Sequence, residues 1–77
     1  MKNTQAVTPA DIERCAEYDD LNDAVCELQD IAGIETGDRA GMWFATTDCD
    51  VWPIASYEAR RDMLAAYIAH EAQYPND

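Results

Sequence analysis

The sequence is poor in the residues that most enzymes use for catalysis. Its 77 residues include one histidine, His70, and one serine, Ser56, and its three glycines form no phosphate-binding loop. A Cys–His pair would have to draw on His70, and Ser56 is better placed to cap the helix that follows it. We therefore expect a protein that is not an enzyme and that uses no cofactor.

Long apolar segments are missing as well. No run approaches the roughly 20 residues of a membrane-spanning helix, and residues 1–7 lack the apolar stretch of a signal peptide. We therefore expect a cytoplasmic protein without a membrane partner.

The cysteines do not follow a disulfide or zinc pattern. There are three, with no C-x-x-C spacing. Cys15 and Cys26 lie in helical stretches and are predicted to be small core residues. Cys49 lies between Asp48 and Asp50, whose charges disfavour its thiolate. Asp48-x-Asp50 begins like a calcium loop, but the turn glycine and the twelfth-position glutamate are absent, so no metal is expected.

Positive charge is scarce. Sixteen acidic residues stand against five Lys and Arg, which gives a formal net charge of −11. Residues 11–30 contain half of the acidic residues and only one basic residue, Arg14. Such a field repels nucleic acid and anionic membranes and attracts basic protein surfaces.

The composition nevertheless predicts a folded chain. Hydrophobic residues make up 48% of the sequence, which is too many for a disordered acidic tail. We expect a flexible lead-in over residues 1–7 and one small, compact, mainly α domain of three to four helices over residues 8–77.

Two helices are predicted in the first half of the chain. Thr8 caps the first, with Pro9 in its first turn and Asp11 three residues after the cap. The apolar positions of the two stretches point in nearly opposite directions, so we place a break near residues 18–20. Asp20 is then the cap of the second helix, with Asp23 completing a capping box, and Gly33 ends it.

The segment 36–52 permits two structures. Apolar residues recur there at helical spacing after Thr36-Gly37-Asp38, which favours a short helix. The alternative is a hairpin over 42–52, which would make the domain α+β, because Trp43 and Phe44 also suit strands. Pro53 would confine the second strand to an edge.

The last helix is the clearest. Ser56 caps a helix from Tyr57 to about Gln73. Its predicted buried face carries four residues: Tyr57, Leu64, Tyr67 and Ile68. Arg60 and Glu71 flank that face and are predicted to form ion pairs.

An acidic face is the main functional candidate. Asp23, Glu27 and Asp30 recur at helical spacing on the polar side of the second helix, and Asp19 and Asp20 extend it. Carboxylates one turn apart lie about 5–6 Å from each other, close to the spacing of phosphates along a nucleic-acid strand. No lysine relieves them. This pattern indicates either a phosphate-mimicking surface that docks on Lys/Arg clusters or a merely solvated face.

An aromatic residue should accompany the charge, because interface hot spots are usually aromatic residues or arginine. Tyr18 and Trp52 are the candidates.

Part of the chain resembles small proteins of phages and bacterial mobile elements. The resemblance rests on residues 33–44 (GIETGDRAGMWF), on Trp52 and on residues 57–71. In type, a short, strongly acidic single domain is similar to anti-CRISPR proteins and other DNA-mimic inhibitors. The resemblance implies a partner such as a CRISPR effector complex. It transfers no functional residue, because those inhibitors share no signature motif.

The sequence therefore suggests an inhibitor that binds a basic nucleic-acid-binding protein rather than nucleic acid itself. The alternative is a small structural or regulatory interaction module, antitoxin-like or a phage assembly protein, that makes its contact through an apolar surface.

Overall fold

The described part of the chain is built from helices. The structure is a computed structural model, and it describes residues 3–34 and 49–73. These residues form three α-helices, which we number α1 (Pro9–Cys15), α2 (Leu21–Ala32) and α3 (Tyr57–Ala72). Two single 3₁₀ turns, Thr4–Ala6 and Trp52–Ile54, precede α1 and α3. The predicted mainly α class is confirmed, and these residues contain no strand.

The ambiguous segment lies largely outside the described residues. Of the hairpin considered over 42–52, only residues 49–52 are described. Residues 49–51 form a turn, and Trp52 begins a 3₁₀ turn instead of a strand. The short helix predicted after Thr36-Gly37-Asp38 also falls outside the described residues.

Local capping explains where α1 begins. The Thr8 hydroxyl accepts a hydrogen bond from the Asp11 amide (3.2 Å), and the Asp11 carboxylate accepts one from the Thr8 amide (3.1 Å). Pro9 occupies the first turn, where its missing N–H costs nothing. The predicted capping box is therefore confirmed.

The predicted break between the first two helices is also confirmed. α1 ends at Cys15 and α2 begins at Leu21. Asp20 caps α2 by accepting a hydrogen bond from the Asn22 amide (3.0 Å). Asp23 was expected to complete a capping box, but within the described residues the side-chain hydrogen bond at this helix start is the one that Asp20 accepts from the Asn22 amide.

A glycine ends α2. Gly33 has φ 72°, a left-handed conformation that favours glycine. The Ile34 amide then donates to the Gln29 carbonyl (2.8 Å), and the Gly33 amide donates to the Asp30 carbonyl (3.2 Å). This pair of bonds is the Schellman motif.

The helices pack around one core. Cys15, the last residue of α1, and Ala16, which follows it, pack against the apolar face of α2, as their spacing predicts. On α3, Leu64 and Tyr67 are fully buried and Ile68 is half-buried. The side chains of the core are the following: Cys15, Ala16, Leu21, Ala24, Val25, Leu28, Trp52, Leu64 and Tyr67.

Two residues predicted to be buried are exposed. Cys26 is exposed because it lies on the polar side of α2, away from Val25 and Leu28. Tyr57 is 39% exposed. It is the first residue of α3, and its hydroxyl donates to the Glu13 carbonyl of α1 (3.5 Å).

Residues 3–7, predicted as a flexible lead-in, are attached to the helices. The Asn3 amide donates to the Ala32 carbonyl at the end of α2, and Val7 packs against the core. The described residues of this segment are therefore in contact with the helical core.

None of the helices in the described ranges combines the length and the apolar character that crossing a membrane requires.

Candidate functional site

The polar side of α2 forms one wall of a shallow concave surface of about 620 Å³. We call this surface the acidic concavity. It is lined by six residues: Tyr18, Asp19, Asp23, Cys26, Glu27 and Asp30. Four of the five acidic residues singled out in the sequence therefore come together with one of the two aromatic candidates.

Helix geometry places the carboxylates of α2 in one row. Asp23, Glu27 and Asp30 follow each other at intervals of four and three residues, so they lie on the same side of the helix. That side is opposite the helix face whose residues, such as Leu21 and Val25, lie in the core. Asp23 and Asp30 are accordingly exposed. Burial of the apolar face thus fixes the direction in which the row points.

Asp20 has a different role from the other acidic candidates. Its carboxylate accepts from the Asn22 amide at the start of α2, and it does not line the acidic concavity. A carboxylate at this position stabilises the helix by satisfying an otherwise unpaired amide. We therefore assign Asp20 to capping and remove it from the binding surface.

The negative charge of Glu27 is partly balanced by a basic residue of another helix, which the sequence does not indicate. The Arg14 guanidinium of α1 donates to the Glu27 carboxylate (3.1 Å) and to the Asp11 carboxylate (3.0 Å). The hydrogen bonds to Asp11 and then to Glu27 raise the pKa of Arg14. Among the described residues, no ion pair is found for Asp19, Asp23 or Asp30, so these three residues are expected to supply most of the uncompensated charge of the acidic concavity.

Tyr18 and Asp19 reach the acidic concavity from the link between α1 and α2. The Tyr18 carbonyl accepts hydrogen bonds from the Trp52 indole N–H (2.9 Å) and from the Arg60 guanidinium (3.2 Å). The Tyr18 side chain is half-buried, and Asp19 is exposed. Contacts from distant parts of the chain therefore hold the backbone that presents these two side chains.

All three side-chain nitrogens of Arg60 donate hydrogen bonds to backbone carbonyls. Besides the Tyr18 carbonyl, it donates to the carbonyls of Trp52 (3.0 Å) and Pro53 (3.3 Å). Its guanidinium also lies 5.1 Å from the centre of the Trp52 ring, in cation–π range. We call this set of contacts the Arg60 bridge. Within the described residues, Arg60 makes hydrogen bonds to carbonyls and not the predicted ion pair. Such bonds give no charge pattern in the sequence.

Trp52 was predicted to contact a partner, but in the structure it is a residue of the core. Its side chain is fully buried, so its ring cannot meet a partner in this fold. A domain of this size has few large side chains with which to fill a core, which favours burying a tryptophan. Glu71, predicted to flank the buried face of α3, is also fully buried. The ion pair predicted for it stays a prediction.

The cysteines differ in their environment. Burial raises the pKa of the Cys15 thiol, so this residue is a poor nucleophile. Cys26 lies exposed in the acidic concavity, and Cys49 is exposed beside Asp50. Within residues 3–34 and 49–73, no group of three or more His, Cys, Asp or Glu residues is arranged to hold a metal ion.

The chemistry available in the acidic concavity is the binding of cationic groups. Exposed carboxylates supply charge, and the half-buried Tyr18 ring supplies an apolar contact that can also accept a cation on its face. Comparison with known proteins adds nothing to this assignment: no protein family, no curated protein and no solved structure matches the chain.

Proposed function

We propose that this chain is a non-enzymatic inhibitor of the anti-CRISPR or DNA-mimic type. It binds a basic nucleic-acid-binding surface of a protein complex through the acidic concavity and excludes DNA from that surface. The observation that carries the proposal is the meeting of Tyr18 with Asp19, Asp23, Glu27 and Asp30 in one concave surface.

The carboxylates supply charge at a phosphate-like spacing. Along α2 the rise of about 1.5 Å per residue separates Asp23 from Asp30 by about 10 Å, with Glu27 between them. A Lys/Arg cluster that normally contacts successive phosphates can contact this row instead. Because Glu27 already pairs with Arg14, Asp23 and Asp30 are the residues of the row that should contribute most.

Tyr18 supplies the contact that charge alone does not. Complementary charge mainly accelerates association, whereas an aromatic side chain in a well-packed contact slows dissociation. Tyr18 is the aromatic residue that lines the acidic concavity. It is therefore the expected hot spot of the interface.

The experiment that tests the proposal is binding to purified CRISPR effector complexes at low and high salt, with duplex DNA as competitor. We expect a complex to be bound, bound DNA to be displaced, and affinity to fall steeply as salt rises. If binding is unaffected by salt and by excess DNA, the proposal is wrong.

A second candidate function is favoured by an exposed apolar surface on the other described segment. Ile54 is 86% exposed, Val51 44% and Tyr57 39%, and all three lie within seven residues of each other in sequence. Val51 precedes the 3₁₀ turn and accepts a hydrogen bond from the Ile54 amide (3.1 Å), and in 3₁₀ geometry side chains three residues apart lie one above the other. Such a surface suits the small structural or regulatory interaction module, antitoxin-like or a phage assembly protein.

Salt separates the two candidates. An apolar contact through Ile54 should be nearly insensitive to ionic strength and should be lost on Ile54→Asp. Binding through the acidic concavity should keep its affinity in the same variant.

A further inference from the structure

We propose that Arg60 is a positioning residue of the binding surface: although it is a cation, it strengthens binding to a basic partner because it fixes the link that presents Tyr18 and Asp19. This inference rests on the function proposed above and deepens it. It concerns the Arg60 bridge and not the acidic residues themselves.

The geometry of the bridge fixes one peptide group. Arg60 and Trp52 both donate to the Tyr18 carbonyl oxygen, at 3.2 and 2.9 Å, and so use both of its lone pairs. The peptide group is planar, so an oxygen held in this way also fixes the amide nitrogen of Asp19. Rotation of this group would redirect the side chains on both sides of it.

Residues 16–20 connect α1 to α2. Upstream, the Tyr18 amide donates to the Cys15 carbonyl (3.1 Å) and the Tyr18 side chain packs against the core, and downstream Asp20 caps α2. Between these two attachments, the described hydrogen bonds to the Tyr18–Asp19 peptide group are those from Arg60 and Trp52. A free link would have to be ordered when a partner binds, which costs affinity. Because the Arg60 bridge orders the link when the protein folds, the link does not have to be ordered again on binding.

Arg60 also holds the opposite side of the contact together. It donates to the carbonyls of Trp52 and Pro53 within the 3₁₀ turn before α3 and lies over the Trp52 ring. The turn that carries the second donor to Tyr18 is thus attached to the same guanidinium. Loss of Arg60 should therefore remove one donor to the Tyr18 carbonyl and loosen the turn that carries the other, Trp52.

The sign of the effect distinguishes this role from charge alone. Removing a positive charge from a strongly acidic protein should tighten its binding to a basic surface. A positioning role predicts weaker binding on the same substitution. A purely stabilising role would lower the melting temperature and leave the affinity of the folded protein unchanged or improved.

The test compares Arg60→Met with Arg61→Met. Arg61 is the next residue on α3, and its described ion pair is with the neighbouring Asp62 (3.8 Å). The two variants lose the same charge, but only the first loses the bridge. We expect Arg61→Met to bind a DNA-competed effector complex as tightly as the unmodified protein or more tightly. Arg60→Met should bind roughly tenfold more weakly, through faster dissociation.

A measurement without any partner completes the test. Backbone ¹⁵N order parameters of residues 18–20 should fall in Arg60→Met and not in Arg61→Met, at a temperature where circular dichroism shows both to be folded. If Arg60→Met does not fold, Arg60→Lys takes its place. It keeps the charge but cannot reach three carbonyls with a planar fork, and it should also weaken binding.

Two failures remain distinguishable. If the unmodified protein binds no basic nucleic-acid-binding surface, the proposed function is wrong. If it binds, but Arg60→Met binds as tightly as Arg61→Met or leaves the order parameters unchanged, the positioning role is wrong and the proposed function stands.

Discussion

Burial separates the three cysteines into two chemical classes at the scale of single residues. Cys15 is fully buried in the core, whereas Cys26 and Cys49 are exposed. The sequence predicted burial for Cys26 as well, because Cys26 lies in a helical stretch and cysteine behaves as a small apolar residue. Its position on the polar side of α2 decides otherwise, since the core-facing positions of that helix are already occupied.

Counting reactive thiols tests this assignment. With neutral N-ethylmaleimide, we expect two thiols of the folded protein to react quickly and the third only as fast as the protein unfolds. Burial keeps Cys15 away from the reagent and raises the pKa of its thiol, so little thiolate is present. Mass spectrometry of peptides should find Cys26 and Cys49 modified and Cys15 unmodified. Rapid modification of Cys15 in the folded state would show that the core is assigned wrongly.

At the scale of elements, local sequence determines where a helix begins and ends, whereas contacts between distant residues depend on the tertiary fold. The Thr8 box, the Asp20 cap and the Gly33 end could be predicted because each involves groups a few residues apart. The burial of Trp52 and the contacts of Arg60 could not, because their partners lie 34 and 42 residues away along the chain. Hydrogen bonds from a side chain to a distant carbonyl leave no pattern in the sequence.

The capping box of α1 should be visible in the pH dependence of stability. Hydrogen bonds from the Thr8 amide and hydroxyl, followed by those from Arg14, hold the pKa of Asp11 below its ordinary value of 3.8. A lowered folded-state pKa contributes stability that is present above the ordinary pKa and lost as the pH falls through the folded-state pKa.

We therefore expect Asp11→Asn to be less stable than the unmodified protein at pH 7, with a difference that shrinks as the pH falls below about 4. Thr8→Ala should cost about 1 kcal/mol at pH 7. Urea unfolding at a series of pH values measures both effects. A difference that does not depend on pH would contradict the capping role of the Asp11 carboxylate.

Asp30 is a carboxylate in an unfavourable position on its helix. It lies in the last turn of α2, where the helix dipole disfavours negative charge, and this turn contains no basic residue. Asp30→Asn should therefore stabilise the fold by about 0.5 kcal/mol at low ionic strength. The same change should weaken binding to a basic partner. Chemical denaturation and a binding titration measure the two effects. A variant that is less stable and binds the partner as tightly as the unmodified protein would contradict the role assigned to Asp30.

At the scale of the whole molecule, a small core supports a large excess of negative charge. The fold class could be predicted from composition and periodicity, because 48% of the residues are hydrophobic and apolar residues recur at helical spacing in the stretches that form the helices. The acidic side of α2 followed from the same periodicity. Its completion by Tyr18 and Asp19 depends on the Arg60 bridge, and the partial neutralisation of Glu27 depends on Arg14 from another helix.

Net charge alone would attract any basic surface, whereas the proposed interface requires the acidic concavity itself. The most direct test is the dissociation constant of two charge-reversal variants for one effector complex. Asp23→Lys with Asp30→Lys reverses two carboxylates of the acidic concavity. Glu58→Lys with Asp62→Lys reverses two exposed carboxylates of α3 and changes the net charge by the same amount.

We expect the first variant to lose binding by two orders of magnitude or more and the second by less than about tenfold, with both still folded by circular dichroism. Equal losses in the two variants would contradict the proposed interface, because they would show that binding follows the net charge and not the acidic concavity.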